Sequence, residues 1–171
     1  MARVAKNKKL TIGLDLDDTI IDHRKNRHIL SKKLHLPANH KDLKKILYAE
    51  MSVTAKPMKN AVDIIKKIIK MGYKVVIISR RRRDGQVPAR KWLRTNLPEI
   101  SPRKIFFVEE DKDKNLVCQK EKVDVFIDDS SEVLSPLDSN ITKILFTKNW
   151  RKIEKIITKS AQSHFYHRGG K

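Results

Sequence analysis

The sequence predicts an α/β protein whose parallel β-sheet is covered by helices on both faces. Two observations support this fold class. Five short apolar runs alternate with amphipathic helical segments, which is typical of right-handed β-α-β units. Acidic or small polar residues also follow three of the apolar runs. Because ligands of parallel sheets bind outside the carboxyl ends of the strands, these polar residues are predicted to meet at one edge.

The N-terminal part of the chain contains the first predicted strand and a helical insertion. Residues 1–8 are predicted to be a basic tail, and the apolar run at 10–14 predicts a buried strand. Apolar residues recur with helical spacing over 24–51, with a break at 37–39, which predicts two short helices. With the segment that follows, these helices form a predicted small cap at about residues 24–57.

The next segment continues the alternation of helix and strand. Apolar residues on one stripe over 61–69 predict an amphipathic helix, and Gly72 is placed to end it. The run at 73–78 predicts a buried strand. Residues 80–87 are predicted to form a loop, and Pro88 is predicted to open the next helix because proline is favoured in the first turn.

The C-terminal half completes the predicted sheet. Three further apolar runs predict strands, at 105–108, 123–127 and 143–146. Helices are predicted over 113–120 and from Trp150 onward, and residues at about 133–137 are predicted to be a short helical or irregular piece. Residues 9–159 are therefore predicted to form a single domain, and residues 160–171 a polar tail.

The composition constrains partners and location. The net charge is +19, from 39 basic and 20 acidic side chains, and such an excess attracts polyanions such as nucleic acid. The basic residues are spread over nearly every predicted helix, however, and solvated lysine faces would look the same. No apolar run approaches the roughly 20 residues that span a bilayer, and the N-terminus lacks the apolar core of a secretory signal. We therefore expect a soluble, intracellular, cytoplasmic protein with no membrane partner.

Cysteine and histidine residues provide no obvious site. Cys118, the single cysteine, lies in a helical pattern and is expected to be a small buried residue rather than a nucleophile. The six histidines show no spacing typical of a zinc pair near a carboxylate. They are expected to be solvated or capping residues.

Carboxylates are concentrated after two of the predicted strands. Asp15, Asp17 and Asp18 follow the first strand, and Asp128 and Asp129 follow the fourth. A buried strand end cannot accommodate so many unpaired carboxylates without a cation. Mg²⁺ prefers carboxylate and carbonyl oxygens and often shares its coordination shell with a substrate phosphate. The pattern therefore predicts a magnesium and phosphate site.

The residues near this edge suit phosphoryl transfer. Ser79 could hold phosphate oxygens, and Lys114 could offset their charge. Asp15 could attack phosphorus to form an aspartyl-phosphate, which divides one hard hydrolysis into two easier steps. Asp17 could protonate the leaving oxygen and later deprotonate water.

Together these motifs resemble the haloacid dehalogenase (HAD) superfamily over roughly residues 9–158. Its four motifs match 15–19 after the first strand, Ser79 after the second, Lys114 before the fourth, and the Asp128-Asp129 pair after the fourth. The resemblance implies a three-layer, Rossmann-like parallel sheet with a small helical cap inserted after the first strand. It also implies a magnesium-dependent phosphatase. A response-regulator receiver also gathers aspartates, a Ser or Thr and a lysine, but the motif order here disfavours that alternative.

The resemblance also implies a role for each matching acidic residue. Asp15 is the implied nucleophile and Asp17 the acid/base. Asp15, the carbonyl of Asp17 and Asp128 are the implied magnesium ligands. Asp129 would assist metal binding, and Thr19 would stabilise the turn.

Phosphate binding is assigned to Ser79, Lys114 and one arginine. Three nearby lysines are rivals to Lys114, namely Lys112, Lys120 and Lys122. Lys114 is preferred because it stands at the start of a predicted helix, near the strand end. In the arginine run 80–83, Arg80 or Arg81 is predicted to contact phosphate, and Arg80 is assigned to the site, whereas the other two are expected to be solvated.

Three functions remain open from the sequence. The section 75–93 followed by Lys114, and the segments 125–130 and 145–150, resemble the type C 5'-nucleotidases, including the 5'(3')-deoxyribonucleotidases. The first hypothesis is therefore a phosphatase for a nucleotide or another small phosphate ester. The second is a phosphatase acting on nucleic-acid ends, suggested by the basic charge and the small cap. The third is a catalytically silent protein that binds phosphate or nucleic acid. The sequence does not determine the oligomeric state.

Overall fold

The computed structural model describes residues 9–166. The predicted basic tail and residues 167–171 lie outside this range. The strands are β1 Thr11–Leu14, β2 Ile21–Asp22, β3 Lys56–Pro57, β4 Lys74–Arg80, β5 Ile105–Val108, β6 Val125–Asp128 and β7 Thr142–Leu145. The α-helices are α1 Arg24–Leu34, α2 Lys41–Tyr48, α3 Ala61–Lys70, α4 Arg83–Asn96, α5 Lys114–Glu121, α6 Ser131–Leu134 and α7 Trp150–Tyr166.

Within the described residues, five strands form one parallel sheet in the order β5-β4-β1-β6-β7. Strand β1 lies at its centre, where Ile12 pairs with Val75 on one side and with Val125 on the other. The predicted α/β class with a parallel sheet is confirmed. All three central strands end at the same edge, which brings their following residues together.

Side chains alternate between the two faces of the sheet and build a core on each. In β4, Val75 and Ile77 belong to one buried cluster, and Val76 and Ile78 belong to the other. The first cluster also contains buried side chains of α3, α4 and α7, and the second contains those of α5 and α6. Full burial of each such aliphatic side chain contributes about 1.5–3 kcal/mol. Both faces of the sheet are therefore covered, as the sequence predicts.

The insertion after β1 has its own small core and a short antiparallel base. Helices α1 and α2 pack through Leu30, Leu43 and Leu47, and the base is a two-residue ladder in which Ile21 pairs with Pro57. This ladder, formed by β2 and β3, is too short to produce an alternating pattern, so the sequence does not reveal it.

Helix α4 begins at Arg83, so the predicted loop at 80–87 and the predicted helix start at Pro88 are wrong. Pro88 lies in the second turn, where its missing N–H removes one helical hydrogen bond. The first turn of α4 packs closely against the cap. A Cβ at Gly85 would lie 2.8 Å from the carbonyl oxygen of Tyr48, so only glycine permits this close approach.

The last helix is longer than the apolar pattern suggests. Helix α7 continues to Tyr166 and therefore enters the segment predicted as a polar tail. None of the helices in residues 9–166 combines the length and apolar character needed to cross a membrane.

Cys118 is a core residue, as expected. Its side chain is 1% exposed, and burial raises the pKa of its thiol to about 12. Because the thiolate is the nucleophilic form of cysteine, this environment does not support a catalytic role.

Gly13, in the central strand, provides a test of the packing at the site edge. A Cβ at Gly13 would lie 2.5 Å from Cδ2 of Phe126 on the neighbouring strand. We expect Gly13→Ala to lower the free energy of unfolding by about 1–3 kcal/mol in urea titrations. Phe126→Leu should reduce the cost of the added methyl group, because it removes the clashing ring edge. Equal stability of Gly13→Ala and wild type would show that the Phe126 ring does not restrict this position.

Candidate active site

An open cleft of about 560 Å³ lies at the carboxyl edge of the sheet. Asp15 follows β1, Ser79 is the next-to-last residue of β4, and Asp128 is the last residue of β6. All three side chains line the cleft, together with Lys114 at the start of α5. The sequence therefore correctly places these four residues at one edge, although they are far apart along the chain.

Lys114 joins the carboxylates of two adjacent strands. Its Nζ donates to Oδ1 of Asp15 and to Oδ2 of Asp128, both at 2.8 Å. All three side chains are buried. Although burial alone would lower the pKa of Lys114, the two carboxylates raise it above its usual value. The lysine is therefore held as a cation between Asp15 and Asp128.

The three alternative lysines do not contact the carboxylates at the strand ends. Lys112 is exposed and pairs with Glu110, with 2.8 Å between Nζ and Oε2. Lys120 and Lys122 are also exposed, at the far end of α5. Within the described residues, the structure thus places Lys114 rather than these lysines among the strand-end carboxylates.

Three carboxylates form a group with the spacing of a metal site. Oxygen atoms of Asp15, Asp128 and Asp129 all lie within 4.8 Å of one another. Burial raises the pKa of Asp15 to about 7, with Asp128 and Asp17 adding to the rise and Lys114 opposing it. Partial desolvation, followed by the charges of Asp128 and Asp18, raises the pKa of Asp129 to about 6.

These shifts indicate that the protein alone does not fully compensate this concentration of negative charge. A hard divalent cation would relieve it, and the all-oxygen donor set suits such an ion. The donor group differs in one respect from the prediction, because the carboxylate of Asp129, expected only to support the metal, is a member of the group.

Asp17 lines the same cleft and also belongs to a buried cluster with Arg81 and His23. Arg81 donates to both of its oxygens, through Nε to Oδ2 at 2.9 Å and through Nη2 to Oδ1. Nε2 of His23 lies 2.7 Å from Oδ1. Although burial alone would raise the pKa of Asp17, Arg81 and His23 hold it below its usual value.

The two neighbouring arginines have different positions. Arg80 lines the cleft, is half exposed, and pairs with Asp111 at 2.8 Å between Nη1 and Oδ2. Arg81 is 1% exposed and is fully committed to the cluster around Asp17. The structure therefore leaves Arg80, not Arg81, at the cleft.

Sequence reasoning missed the position of His23. The expectation of a solvated or capping residue is correct for His40, whose ring accepts from the N–H of Asp42 at the start of α2. It is wrong for His23, which is fully buried against Asp17. A turn separates Asp17 from His23, so neither helical nor strand periodicity relates the two residues and no local pattern could have revealed this contact.

The turn after β1 is closed by backbone and side-chain contacts. Asp18 has a left-handed φ of 58° and pairs with Arg27 of α1. Thr19 is buried, and its carbonyl accepts from Nε1 of Trp150 at 2.9 Å. Its hydroxyl has no hydrogen-bond partner among the described residues. The contact observed at Thr19 is thus a backbone one.

Comparison with known proteins identifies the family. The family model described as HAD superfamily, subfamily IIIB (acid phosphatase), matches residues 1–130. The chain belongs to the HAD superfamily. The resemblance found in the sequence is confirmed, and so is the class of enzyme that it implies, a HAD phosphatase.

Individual relatives of this HAD chain are distant. A protein of Bacillus cereus named "Putative nucleotidase" is 26% identical and aligns with 75% of this chain and 80% of its own length. A class C acid phosphatase from Bacillus anthracis has a TM-score of 0.58 and 21% identity, with 91% of this chain covered. The HAD chain spans 63% of that structure's length. A HAD-superfamily hydrolase from Ehrlichia chaffeensis has a TM-score of 0.58 and 12% identity, with 89% of this chain and 98% of that one covered. These structures show a shared fold.

The contact of Lys114 with two buried carboxylates predicts a large stability effect. Lys114→Met would leave Asp15 and Asp128 buried without their cation, so we expect a loss of about 3–5 kcal/mol in the free energy of unfolding. The exposed Lys112→Met is the matched control and should change it by less than about 0.5 kcal/mol. Similar values for the two variants, from denaturant titration, would disprove the buried arrangement.

Proposed function

We propose that the protein is a magnesium-dependent phosphomonoester hydrolase that forms an aspartyl-phosphate on Asp15. The observation that carries this proposal is the position of Asp15. Its carboxylate lies in the cleft, 2.8 Å from the Lys114 cation and within a cluster of metal-type oxygen donors. Membership of a HAD phosphatase subfamily supports the same chemistry.

In the proposed first step, Asp15 attacks phosphorus while the bond from phosphorus to the leaving oxygen breaks. Lys114 binds Oδ1 of Asp15, so Oδ2 is the oxygen assigned to the attack. Asp17 supplies a proton to the leaving oxygen, and it must take up that proton against the effect of Arg81 and His23, which favour its ionised form. In the second step Asp17 takes a proton from water, which attacks phosphorus, releases inorganic phosphate and restores the Asp15 carboxylate.

The other residues of the cleft would bind and neutralise phosphate. Ser79 and Lys114 are assigned as phosphate ligands, and Arg80 would contact phosphate from the more exposed rim. Asp15, Asp128 and Asp129 would hold Mg²⁺, together with the carbonyl of Asp17. When bound there, the ion would neutralise charge on the phosphate oxygens and on the attacking carboxylate.

A nucleotide or another small phosphate ester is the proposed substrate. The names of the two Bacillus proteins, a nucleotidase and an acid phosphatase, agree with this choice. The volume of the cleft is within the range of small-ligand sites. The cap contributes Asn39, Lys44 and Tyr48 to the cleft, so it can contact the part of the substrate beyond the phosphate.

Positive charge on the cap favours a second candidate substrate, a phosphate group at the end of a nucleic acid. Residues 24–48 contain eight Lys and Arg side chains and one Asp. Such a segment beside an open cleft would attract the backbone of an oligonucleotide, and binding would then weaken as salt increases.

Phosphate release from a substrate panel tests the chemistry and the substrate. We expect magnesium-dependent release by wild type, and a loss of about 10³-fold or more in Asp15→Asn because the nucleophile is removed. Asp63→Asn, at an exposed position on α3, is the matched control and should retain activity. The panel contains nucleoside monophosphates, sugar phosphates, and 5'- and 3'-phosphorylated oligonucleotides.

The preferred substrate class decides between the two candidates. Release that Asp15→Asn leaves unchanged would refute the aspartyl-phosphate mechanism. An absence of release from every substrate would instead favour a phosphate-binding protein without catalysis.

Magnesium binding has a separate test that does not depend on activity. Saturating Mg²⁺ should stabilise wild type by about 1–3 kcal/mol, because the ion binds the folded carboxylate cluster. Asp129→Asn should reduce the corresponding shift in Tm without disturbing the Lys114 contacts, whereas Asp63→Asn should keep the full shift. Identical shifts in Asp129→Asn and wild type would exclude Asp129 from the metal site.

A further inference from the structure

Lys44 differs from the other cationic side chains that line the cleft, because it has no acidic partner. The others are paired among the described residues, Lys114 with Asp15 and Asp128, Arg80 with Asp111, and Arg27 with Asp18. Lys44 lines the same cleft, and no acidic side chain in the described part of the chain forms an ion pair with it. Positions 40, 41, 47 and 48, three and four residues away along the helix, also hold no acidic residue.

Helix α2 holds Lys44 beside the cleft on a fixed support. Leu43 and Leu47 of the same helix are fully buried in the core of the cap. At the end of the helix, the carbonyl of Tyr48 accepts from Nη1 of Arg81 at 2.6 Å, and the Tyr48 ring lies 5.4 Å from the Arg81 guanidinium carbon. Lys44 precedes Tyr48 by four residues, so both lie on the helix face that lines the cleft.

The position of Lys44 is separate from that of the reacting phosphate. Ser79 and Lys114, the assigned ligands of that phosphate, belong to the sheet side of the cleft, whereas Lys44 and Asn39 belong to the cap side. An ammonium group has three donors and no acceptor, and it binds phosphate as a point charge. Lys44 therefore suits an anionic group on the part of the substrate that lies beyond the reacting phosphate.

Lys45 provides a comparison within the same helix. It is the next residue and is also exposed, but it does not line the cleft. Because successive residues of a helix point about 100° apart, the two lysines face different directions. A solvated basic surface would use both lysines alike, whereas a substrate site would use Lys44 alone.

We propose that Lys44 binds a second phosphate group of the substrate, with Asn39 as a neighbouring hydrogen-bond donor. The preferred substrate would then be a phosphate ester with two phosphates, either a nucleoside bisphosphate or a 5'-phosphorylated oligonucleotide whose next phosphate reaches Lys44. The proposal rests on the proposed function, because it takes the reacting phosphate to lie at Asp15.

Equilibrium binding tests this proposal without turnover. Asp15→Asn lacks the nucleophile, so Kd can be measured by isothermal titration calorimetry in the presence of Mg²⁺ while the ligand stays intact. The ligands are a nucleoside 5'-monophosphate, the 3',5'-bisphosphate of the same nucleoside, and a 5'-phosphorylated dinucleotide. Comparison of the last two identifies the source of the second phosphate.

The ratio of Kd values between ligands with one and two phosphates is the readout. With Lys44 present, we expect at least one of the ligands with two phosphates to bind about 5- to 10-fold more tightly than the monophosphate. Lys44→Met in the same background should reduce this ratio to less than about 2-fold, because it removes the charge and keeps an unbranched side chain. Lys44→Arg should retain most of the ratio, and the matched control Lys45→Met should retain all of it. The ratio should also decrease as salt is raised.

Equal binding of all three ligands, or a ratio that Lys44→Met leaves unchanged, would overturn the proposal. Equal reductions in Lys44→Met and Lys45→Met would also overturn it, since they would indicate general attraction by the basic surface. Thermal unfolding checks that each variant is folded, and Lys44→Gln is a second variant without the charge if Lys44→Met is not folded. Failure of the proposed function is recognised separately, because wild type would then show no Asp15-dependent phosphate release, whereas the Kd ratios would still decide whether Lys44 binds a second phosphate.

Discussion

The need to bury carboxylates beside one another is the constraint on which the rest of this structure depends. Parallel strands end at one edge, and three of the residues placed there or in the following turn are Asp15, Asp17 and Asp128, each less than 10% exposed. Uncompensated burial of such groups costs several kcal/mol each. Two buried cations, Lys114 and Arg81, compensate the negative charge of these carboxylates. Lys114 lies in the segment after β5, and Arg81 lies in the segment after β4.

The two cations divide the site into two environments. Lys114 lies between Asp15 and Asp128 on the sheet side, where burial still raises the pKa of Asp15. Arg81 lies with His23 on the cap side, where both partners hold the pKa of Asp17 below its usual value. The pKa values of two aspartates separated by one residue are thus shifted in opposite directions.

The insertion contributes to the site in more than one way. It lines the cleft through Tyr48 and Lys44, and it also supports the interior cluster, since Tyr48 and Ser52 accept hydrogen bonds from Arg81. The cap therefore contacts both the cleft and the buried cluster around Asp17.

The amino-acid sequence was sufficient to predict the α/β class, the approximate strands and helices, and the meeting of Asp15, Ser79, Lys114 and Asp128. Hydrophobic periodicity within short segments predicts the strands and helices. The rule that parallel strands end at one edge then predicts that the residues near those ends meet. Tertiary structure alone decided the partners of Asp17, the start of α4 and the pairing of β2 with β3. The contact of Arg81 with Asp17 spans 64 positions, and the close approach of Gly85 to Tyr48 depends on where the cap packs. Such contacts depend on the relative placement of distant segments, which leaves no periodic signal in the sequence.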